Sequence, residues 1–181
     1  MGQIHVHEFI SLDGVIEDPS WTFEFGFDPK MGDTLGAIMD GCSGILLGRR
    51  TFEMFAPAWS KRTVEDDPGA PFFNETTKYV VGSTEPSVQW ANSERLGRYD
   101  AGRIRRLKQE QEGDLYVSGS ARLVRALLAD KLVDRLHLFV YPVALGAGER
   151  LFAEGRQVRL ELASHATYDN GVVHLAYRPA R

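Results

Sequence analysis

The chain has 181 residues, of which 43% are hydrophobic, and a formal net charge of −4 at pH 7. This composition supports a folded core, excludes an intrinsically disordered chain and predicts a single domain over residues 1–181. The negative charge argues against nucleic-acid binding, which requires a strongly basic face. The longest apolar run, residues 138–145, is far shorter than the roughly 18 residues of a membrane span, and the N-terminus lacks the charged and apolar segments of a signal peptide. We therefore expect a cytoplasmic protein that binds neither membranes nor nucleic acid.

Short apolar runs alternate with amphipathic stretches along the chain, which is the pattern of an α/β fold with a largely parallel sheet. The first half predicts, in order, a strand over residues 3–12, a helix over 30–40, a strand over 44–47, a helix from 49, a loop over 57–77, a strand from 78 and a short strand over 88–90. Alternation along the first strand places Glu8 on the same face as the apolar residues.

The second half predicts a polar helix over residues 101–112, a strand over 114–118, a helix after Ser120, a strand over 134–143 and a C-terminal antiparallel hairpin over 158–178. The hairpin is indicated by the turn sequence Asp169-Asn170-Gly171. The strand over 134–143 is too apolar for an exposed sheet edge. We therefore predict a homodimer to which the last strands and residues 138–148 contribute.

Small and polar residues follow three of the predicted strands. In a parallel sheet the carboxyl ends of the strands share one edge, where open α/β folds bind ligands. Glycines permit close backbone approach, helix N-termini bind phosphate, and arginines with hydroxyls suit a phosphomonoester. The pattern predicts a nucleotide with an extra phosphate, NADP rather than NAD, unless the glycines only end strands and the arginines are solvated. The three segments are Gly48-Arg49-Arg50-Thr51, Gly82-Ser83-Thr84 and Gly119-Ser120-Ala121-Arg122.

Aromatic residues alternate between the first strand and the first helix, as Trp21, Phe23, Phe25 and Phe27. They suit either a wall on which a flat heterocycle stacks, with Trp21 and Phe25 lining a substrate pocket, or a packed lid or dimer contact. The segment Glu149-Arg150 follows a glycine-rich loop near the strand ends, and either faces that pocket or forms a structural turn.

The nearest carboxylates for proton donation are Asp33 and Glu17. His5 and His7 project from one face of the first strand without a third ligand at metal-site spacing. We interpret these histidines, together with His137, His165 and His174 in the later strands, as packed side chains, and we expect no metal site.

The sequence resembles the dihydrofolate reductase-like superfamily, and more closely the reductase domain of the riboflavin-biosynthesis deaminase-reductases and its stand-alone bacterial relatives. The resemblance extends over about residues 4–177 and depends on the motifs ISLDGVI, LLGRRTFE, KYVVGST, LYVSGSARLVRALL and LVDRLHLFVYPVALGAGERLF. It implies a mostly parallel sheet flanked by helices that binds NADPH across the strand ends. The position of the folate enzyme's acidic helix residue is Gly32 here, and the single cysteine, Cys42, excludes the zinc deaminase half.

The resemblance also implies a role for each strand-end segment. The adenosine 2′-phosphate is expected to contact Arg49, Ser83, Thr84 and Arg122, with Gly48, Arg50 and Thr51 beside the cofactor. The pyrophosphate is expected to contact Gly119 and Ser120, and the nicotinamide ribose and ring to contact Asp13, Gly14, Val15 and Ile16.

Three functions follow from these observations. The first is an NADPH-dependent reductase that transfers hydride to a C=N or C=O carbon of a small heterocycle or sugar-like group. The resemblance gives its reference reaction, the reduction of the ribosylamino-pyrimidine intermediate of riboflavin synthesis. The second is a nucleotide- or flavin-binding module without turnover, and the third is a dimeric scaffold with vestigial pockets.

Overall fold

A computed structural model describes residues 2–152 and 154–180. Its strands are β1 (Ile4–Ser11), β2 (Cys42–Gly48), β3 (Thr77–Val81), β4 (Ser93–Gly97), β5 (Asp114–Ser118), β6 (Arg135–Tyr141), β7 (Leu160–Thr167) and β8 (Val173–Pro179). Its α-helices are α1 (Pro29–Met39), α2 (Arg49–Trp59), α3 (Ala70–Glu75), α4 (Ala101–Glu110) and α5 (Ala121–Ala129), and a 3₁₀ helix covers Pro19–Phe25.

Across these residues the strands form an eight-stranded sheet in the order β4-β3-β2-β5-β1-β6-β8-β7. The six strands from β4 to β6 run parallel to their neighbours, whereas β8 is antiparallel to both β6 and β7. The α/β fold with a mostly parallel sheet and a C-terminal antiparallel hairpin, predicted from the sequence, is therefore confirmed. The helices among the described residues are all too short or too polar to cross a bilayer.

The helices cover both faces of the sheet because the strands at the centre of the sheet carry apolar side chains on both faces. On one face, buried residues of α4 and α5, such as Ile104 and Val124, pack against Val6 of β1. On the other face, α1, α2 and α3 pack on an aromatic-rich core that includes Phe52 and Phe139. Two buried layers of this kind are typical of a parallel sheet.

The carboxylate of Asp28 connects two segments that are distant in the sequence. The Asp28 carboxylate caps α1 by accepting from the N–H of Lys30 at 2.8 Å, and also accepts from the N–H of Asp169 at 2.8 Å. It thereby joins the start of α1 to the β7–β8 turn. At that turn Gly171 has φ +84°, which a residue with a side chain rarely adopts.

The structure corrects three predictions about elements. Residues 57–77 are not all loop, because α2 continues through Pro57, near its end, and α3 follows. The packing of buried Ala56 outweighs the one hydrogen bond that a proline removes. The additional strand is β4 rather than residues 88–90.

The third correction concerns β6, which lies between β1 and β8 and is not an edge. Its apolar side chains are buried within the chain, Leu136 and Phe139 completely. The apolar character of this strand therefore requires no second subunit. The edge at this end of the sheet is β7, where Leu162 is 52% exposed.

Candidate functional site

The strands β3, β2, β5 and β1 are parallel neighbours, so the residues that follow them lie at one edge of the sheet. Three glycines allow these strand ends to touch, because a Cβ atom would collide with the next segment. The contacts are Gly48 with Ser120 Oγ, Gly82 with Arg49 Cβ at 2.8 Å, and Gly119 with Thr51 Oγ1 at 2.9 Å. The structure thus brings together the three glycine-containing segments singled out in the sequence.

Arg49 begins α2 at this edge, with its side chain 31% exposed. Its Nη1 donates to Oε2 of Glu53, one helical turn away, at 2.6 Å. The other oxygen of Glu53 accepts from the N–H of Ser87 at 2.7 Å and from its hydroxyl at 2.9 Å. The N–H of Ser87 is the largest cause that lowers the pKa of Glu53, so this carboxylate stays ionised and orients Arg49. The remaining N–H donors of Arg49 are available to a ligand.

Ser83 and Thr84 are exposed on the loop after β3. The carbonyl of Ser83 accepts from Nη2 of Arg95 at 3.3 Å, and Nη1 of Arg95 pairs with Glu85 at 2.8 Å. Arg95 also lines a surface cleft of about 350 Å³ next to this loop. Sequence analysis missed Arg95 because it belongs to β4, which has only one buried apolar residue and little alternation.

Arg50 and Arg122 lie further out at the same edge. Both follow a strand end at the start of a helix, and both are exposed. Neither position is fixed by an ion pair among the described residues, so both guanidinium groups can move toward an anion.

The segment after β1 folds against the glycine-rich loop after β6. The Asp13 carboxylate accepts from the hydroxyl of Ser11 at 2.6 Å and from the N–H groups of Leu145 at 3.0 Å and Gly146 at 2.8 Å. These hydrogen bonds, that of Ser11 first, lower the pKa of Asp13 to about 2. Asp13 therefore connects the segment after β1 to the loop after β6, and Gly14 lies next to it, partly exposed.

Two of the four residues predicted to face the nicotinamide, Val15 and Ile16, are nearly inaccessible. Gly148 packs closely on Val15, since a Cβ atom on Gly148 would lie 2.5 Å from Val15 Cγ1. The guanidinium of Arg150 donates from Nε to the carbonyl of Asp13 at 2.9 Å and is 49% exposed. Asp13, Gly14 and Arg150 therefore belong to one surface at the end of β1.

The two proposed proton donors lie apart. Glu17 is exposed, and its Oε2 accepts from the N–H of Glu149 at 3.0 Å. Glu149 itself pairs with Arg125 of α5 at 3.3 Å, which favours the structural-turn interpretation of this segment. Asp33 lies on the exposed face of α1, and no hydrogen bond among the described residues joins it to Glu17.

The aromatic segment divides into two pairs. Trp21 and Phe25 pack edge-to-face on Tyr141, with ring centroids 5.4 and 5.5 Å apart, and the Trp21 Nε1 donates to the carbonyl of Glu17 at 3.2 Å. Phe23 and Phe27 are 83% and 62% exposed. Trp21 and Phe25 therefore pack against the chain itself, whereas Phe23 and Phe27 remain exposed for a ligand or a partner subunit.

Two residues of β1 are buried and titratable, Glu8, to which the sequence assigned no role, and His7, which it predicted to be a packed side chain. Glu8 is 5% exposed, and its Oε1 accepts from the N–H of Gly119 at 2.8 Å. Its burial raises its pKa to about 8. On the opposite face, Nδ1 of His7 lies 2.7 Å from the hydroxyl of Tyr116, while its Nε2 has no partner among residues 2–152 and 154–180. A glutamate on the apolar face of the predicted strand was the signal available for Glu8.

A row of stacked histidines crosses the sheet below this site. His5 Nδ1 lies 3.4 Å from His137 Nε2, and His137 Nδ1 lies 3.1 Å from His174 Nε2, while His5 Nε2 contacts Asp114 at 3.1 Å. The described residues contain no group of three potential ligands that could hold a metal ion. The rings of His5, His137 and His174 pack on one another, with centroids 5.6 and 5.4 Å apart, whereas His165 is exposed on β7.

Comparison with known proteins gives one family. A family model described as the RibD C-terminal domain matches residues 3–174. The chain is 27% identical over 179 residues to the uncharacterized protein YyaP of Bacillus subtilis (strain 168), covering 93% of this chain and 90% of YyaP.

Solved structures agree with this match at the level of the fold. A protein of Shewanella sp. PV-4 assigned to riboflavin biosynthesis has a TM-score of 0.80 at 18% identity, covering 99% of both chains. The riboflavin biosynthesis reductase Rib7 of Saccharomyces cerevisiae has a TM-score of 0.65 at 16% identity, covering 99% of this chain and 90% of Rib7. The dihydrofolate reductase of Enterococcus faecalis, solved with NADP(H), has a TM-score of 0.65 at 16% identity, with coverage of 99% and 98%. The dihydrofolate reductase-like fold is therefore confirmed.

Proposed function

The chain belongs to the RibD C-terminal domain family, and from this premise we propose that it is an NADPH-dependent reductase. Its substrate class is a small heterocycle or sugar-like compound with a reducible C=N or C=O bond, of which 5-amino-6-(5-phosphoribosylamino)uracil is the reference for the family. When bound, NADPH supplies the hydride. The protein has to bind both partners, orient them, exclude water and provide a proton.

The observation that carries this proposal is the glycine-lined edge formed by the ends of β2, β3 and β5. Gly82 packs against Arg49 and Gly119 against Thr51, where a Cβ atom would collide, so the glycines bring the three strand ends together into one surface. Arginine and hydroxyl groups border the same edge. A dinucleotide with an additional phosphate fits this combination of helix N-termini, hydroxyls and guanidinium charge.

Each part of the cofactor has proposed partners along this edge. Arg49, Ser83, Thr84 and Arg122 would hold the 2′-phosphate, and we add Arg95, because its guanidinium lies beside the Ser83 carbonyl. The residues beside the cofactor and its pyrophosphate would be Gly48, Arg50, Thr51, Gly119 and Ser120. Asp13 and Gly14 would lie beside the nicotinamide ribose and ring, and the buried Val15 and Ile16 would support them from the core.

The substrate would lie at the end of β1, between the nicotinamide residues and the aromatic segment. Trp21 and Phe25 would provide an apolar wall, and Arg150, half exposed beside Gly14, would bind a substrate phosphate. Glu149 would hold the loop through Arg125. Of the two candidate proton donors, Glu17 is next to this loop, and Asp33 would act only if α1 faces the bound substrate.

The test is cofactor discrimination. NADPH and NADH are titrated by fluorescence against the wild-type protein, Arg49→Ala and a control, Arg159→Ala, which removes an exposed arginine before β7. An arginine–phosphate interaction is worth about 1.5–3 kcal/mol, so Arg49→Ala should weaken NADPH binding about ten- to a hundredfold and leave NADH binding unchanged. Equal affinities of the wild type for both cofactors would contradict the 2′-phosphate assignment.

A second candidate function is a nucleotide- or flavin-binding module without turnover. The positions of the carboxylates favour it, because Asp33 is exposed on α1 and Glu17 is engaged by the N–H of Glu149. The two functions differ in NADPH consumption. A reductase oxidises NADPH in the presence of at least one ketone, imine or quinone from a panel, whereas a binding module shows saturable binding and no oxidation.

A further inference from the structure

Glu8 is a carboxyl group on the apolar face of β1. That face also carries Val6 and Ile10 and packs against the buried side chains of α5. A buried carboxylate is strongly disfavoured unless its charge is paired. Among the residues that the structure describes, no ion pair includes Glu8, although its side chain is only 5% exposed.

The carboxyl group has one structural task, which is to hold the turn between β5 and α5. Its Oε1 accepts from the N–H of Gly119 at 2.8 Å, across 111 positions of sequence. Within the described chain the side chain of Ser120 forms no cap on α5, so Glu8 is the side chain that fixes this turn. Gly119 has φ +61° and packs on Thr51, so a shift of the turn also disturbs the start of α2.

The surroundings of Glu8 let it gain or lose a proton near neutral pH. Burial raises its pKa to about 8, and the N–H of Gly119 opposes this shift. Its register neighbour on β6 is Leu138. On β5 the charge of Glu8 acts on the Tyr116 phenol, whose pKa is raised, principally by burial, so that it stays neutral. On α5, Arg122 is exposed and Arg125 bonds to the loop at Glu149, so neither arginine compensates a charge on Glu8.

We propose that Glu8 is a positioning residue that couples the uptake of a proton to occupation of the Gly119 turn by the pyrophosphate of the cofactor. The inference builds on the proposed function. A protonated Glu8 keeps its carbonyl oxygen on the N–H of Gly119 and carries no charge. An ionised Glu8 places a negative charge on the Gly119 N–H, and this charge would repel the phosphates of a cofactor held by the same turn, because the low dielectric of the core strengthens repulsion. By linkage, the bound cofactor raises the proton affinity of Glu8 to the same extent.

The experiment compares the pH dependence of NADPH binding in the wild type, Glu8→Gln and Glu112→Gln. Glutamine keeps an oxygen for Gly119 but does not ionise. Glu112→Gln makes the same charge change at an exposed residue before β5. Between about pH 7 and about pH 9.5 the wild type and Glu112→Gln should lose about tenfold in affinity, and Glu8→Gln should change less than about twofold. The Lys78 ammonium, whose pKa burial lowers to about 8, titrates in all three proteins and cancels in the comparison.

A second measurement does not depend on the folding of a variant. Calorimetric titration of the wild type in two buffers of different ionisation enthalpy should show an uptake of about 0.4 proton per NADPH near pH 8. Equal pH dependence in the wild type and Glu8→Gln, or no proton uptake, overturns the role of Glu8 and leaves the reductase proposal standing. Failure of the wild type to bind NADPH at either pH overturns both.

Discussion

Acidification is expected to destabilise the fold through two buried histidines. Burial is the largest cause that lowers the pKa of His7 and of His137 to about 3, against 6.5 for an ordinary histidine. Both imidazoles are therefore neutral in the folded protein, whereas the unfolded chain binds a proton at each below about pH 6.5. Each neutral imidazole therefore contributes stability above about pH 6.5, and this contribution is lost as the pH falls. The linkage relation gives a loss of about 2 kcal/mol per histidine at about pH 5, hence about 4 kcal/mol for the two acting independently.

The assay is urea unfolding followed by tryptophan fluorescence at about pH 7.5 and about pH 5. Replacing His7 by phenylalanine removes one titrating group from a site already lined by Phe9 and Phe139. Between the two pH values His7→Phe should therefore lose about 2 kcal/mol less stability than the wild type, whatever its stability at pH 7.5. The control His165→Phe changes an exposed histidine of β7 and should show the pH dependence of the wild type.

The same pH dependence in His7→Phe and in the wild type would refute the idea that burial keeps this imidazole neutral. Glu8 opposes the histidines in this range, because burial raises its pKa in the folded protein to about 8 and its protonation therefore adds about 3 kcal/mol of stability as the pH falls from about 7.5 to about 5. Glu8 titrates in both proteins, so its contribution cancels in the comparison. The pKa values of Asp13 and Glu53 are lowered, Asp13 principally by the Ser11 hydroxyl and Glu53 by the N–H of Ser87. A group of this kind stabilises the fold above its unfolded pKa, so its contribution is lost only below about pH 4.5.

Three further outcomes are expected. Gly119→Ala should reduce the free energy of unfolding by about 1–3 kcal/mol in the same urea assay, because alanine is strained at φ +61° and its Cβ meets Thr51. Trp21→Ala removes a ring packed on Tyr141 and should lower the free energy of unfolding by about 1–3 kcal/mol. It should also weaken the binding of planar ligands such as flavins and leave NADPH affinity nearly unchanged, whereas intact planar-ligand binding would make the aromatic segment purely structural. Light scattering at micromolar concentration should give a homodimer, with the exposed Leu162 of β7 at the interface, and a 20.2 kDa species would contradict it.

Much of the fold could be predicted from local sequence because its strongest elements carry local signals. The three central residues of β5 form a continuous buried run, Leu115-Tyr116-Val117, and Asp169-Asn170-Gly171 specifies the last hairpin. By contrast, β4 buries only Leu96, and α3 lies in a proline-rich stretch with few helix-forming residues. At such places tertiary packing decides the structure, and local patterns do not report it.

The candidate site was predictable to the extent that glycine and strand-end patterns define it. Gly48, Gly82 and Gly119 could be placed on one edge because parallel strands end together. The contact from Glu8 to Gly119 could not be predicted, since it joins residues 111 positions apart. The engagement of Glu17 by the backbone of Glu149 was hidden for the same reason, because it depends on how two distant loops fold together.

The position of β1 has a consequence for how the protein is made. This first strand lies inside the sheet, but both of its neighbours come late in the chain, since Ile4 pairs with Leu115 and Ser11 with Tyr141. At a synthesis rate of about 5–20 residues per second, β1 therefore waits on the order of ten seconds for both partners. Contacts over such separations also close slowly. During that interval the apolar side chains of β1 have no partner strand in the nascent chain. We therefore expect chaperone binding to concentrate on β1 until β6 emerges from the ribosome.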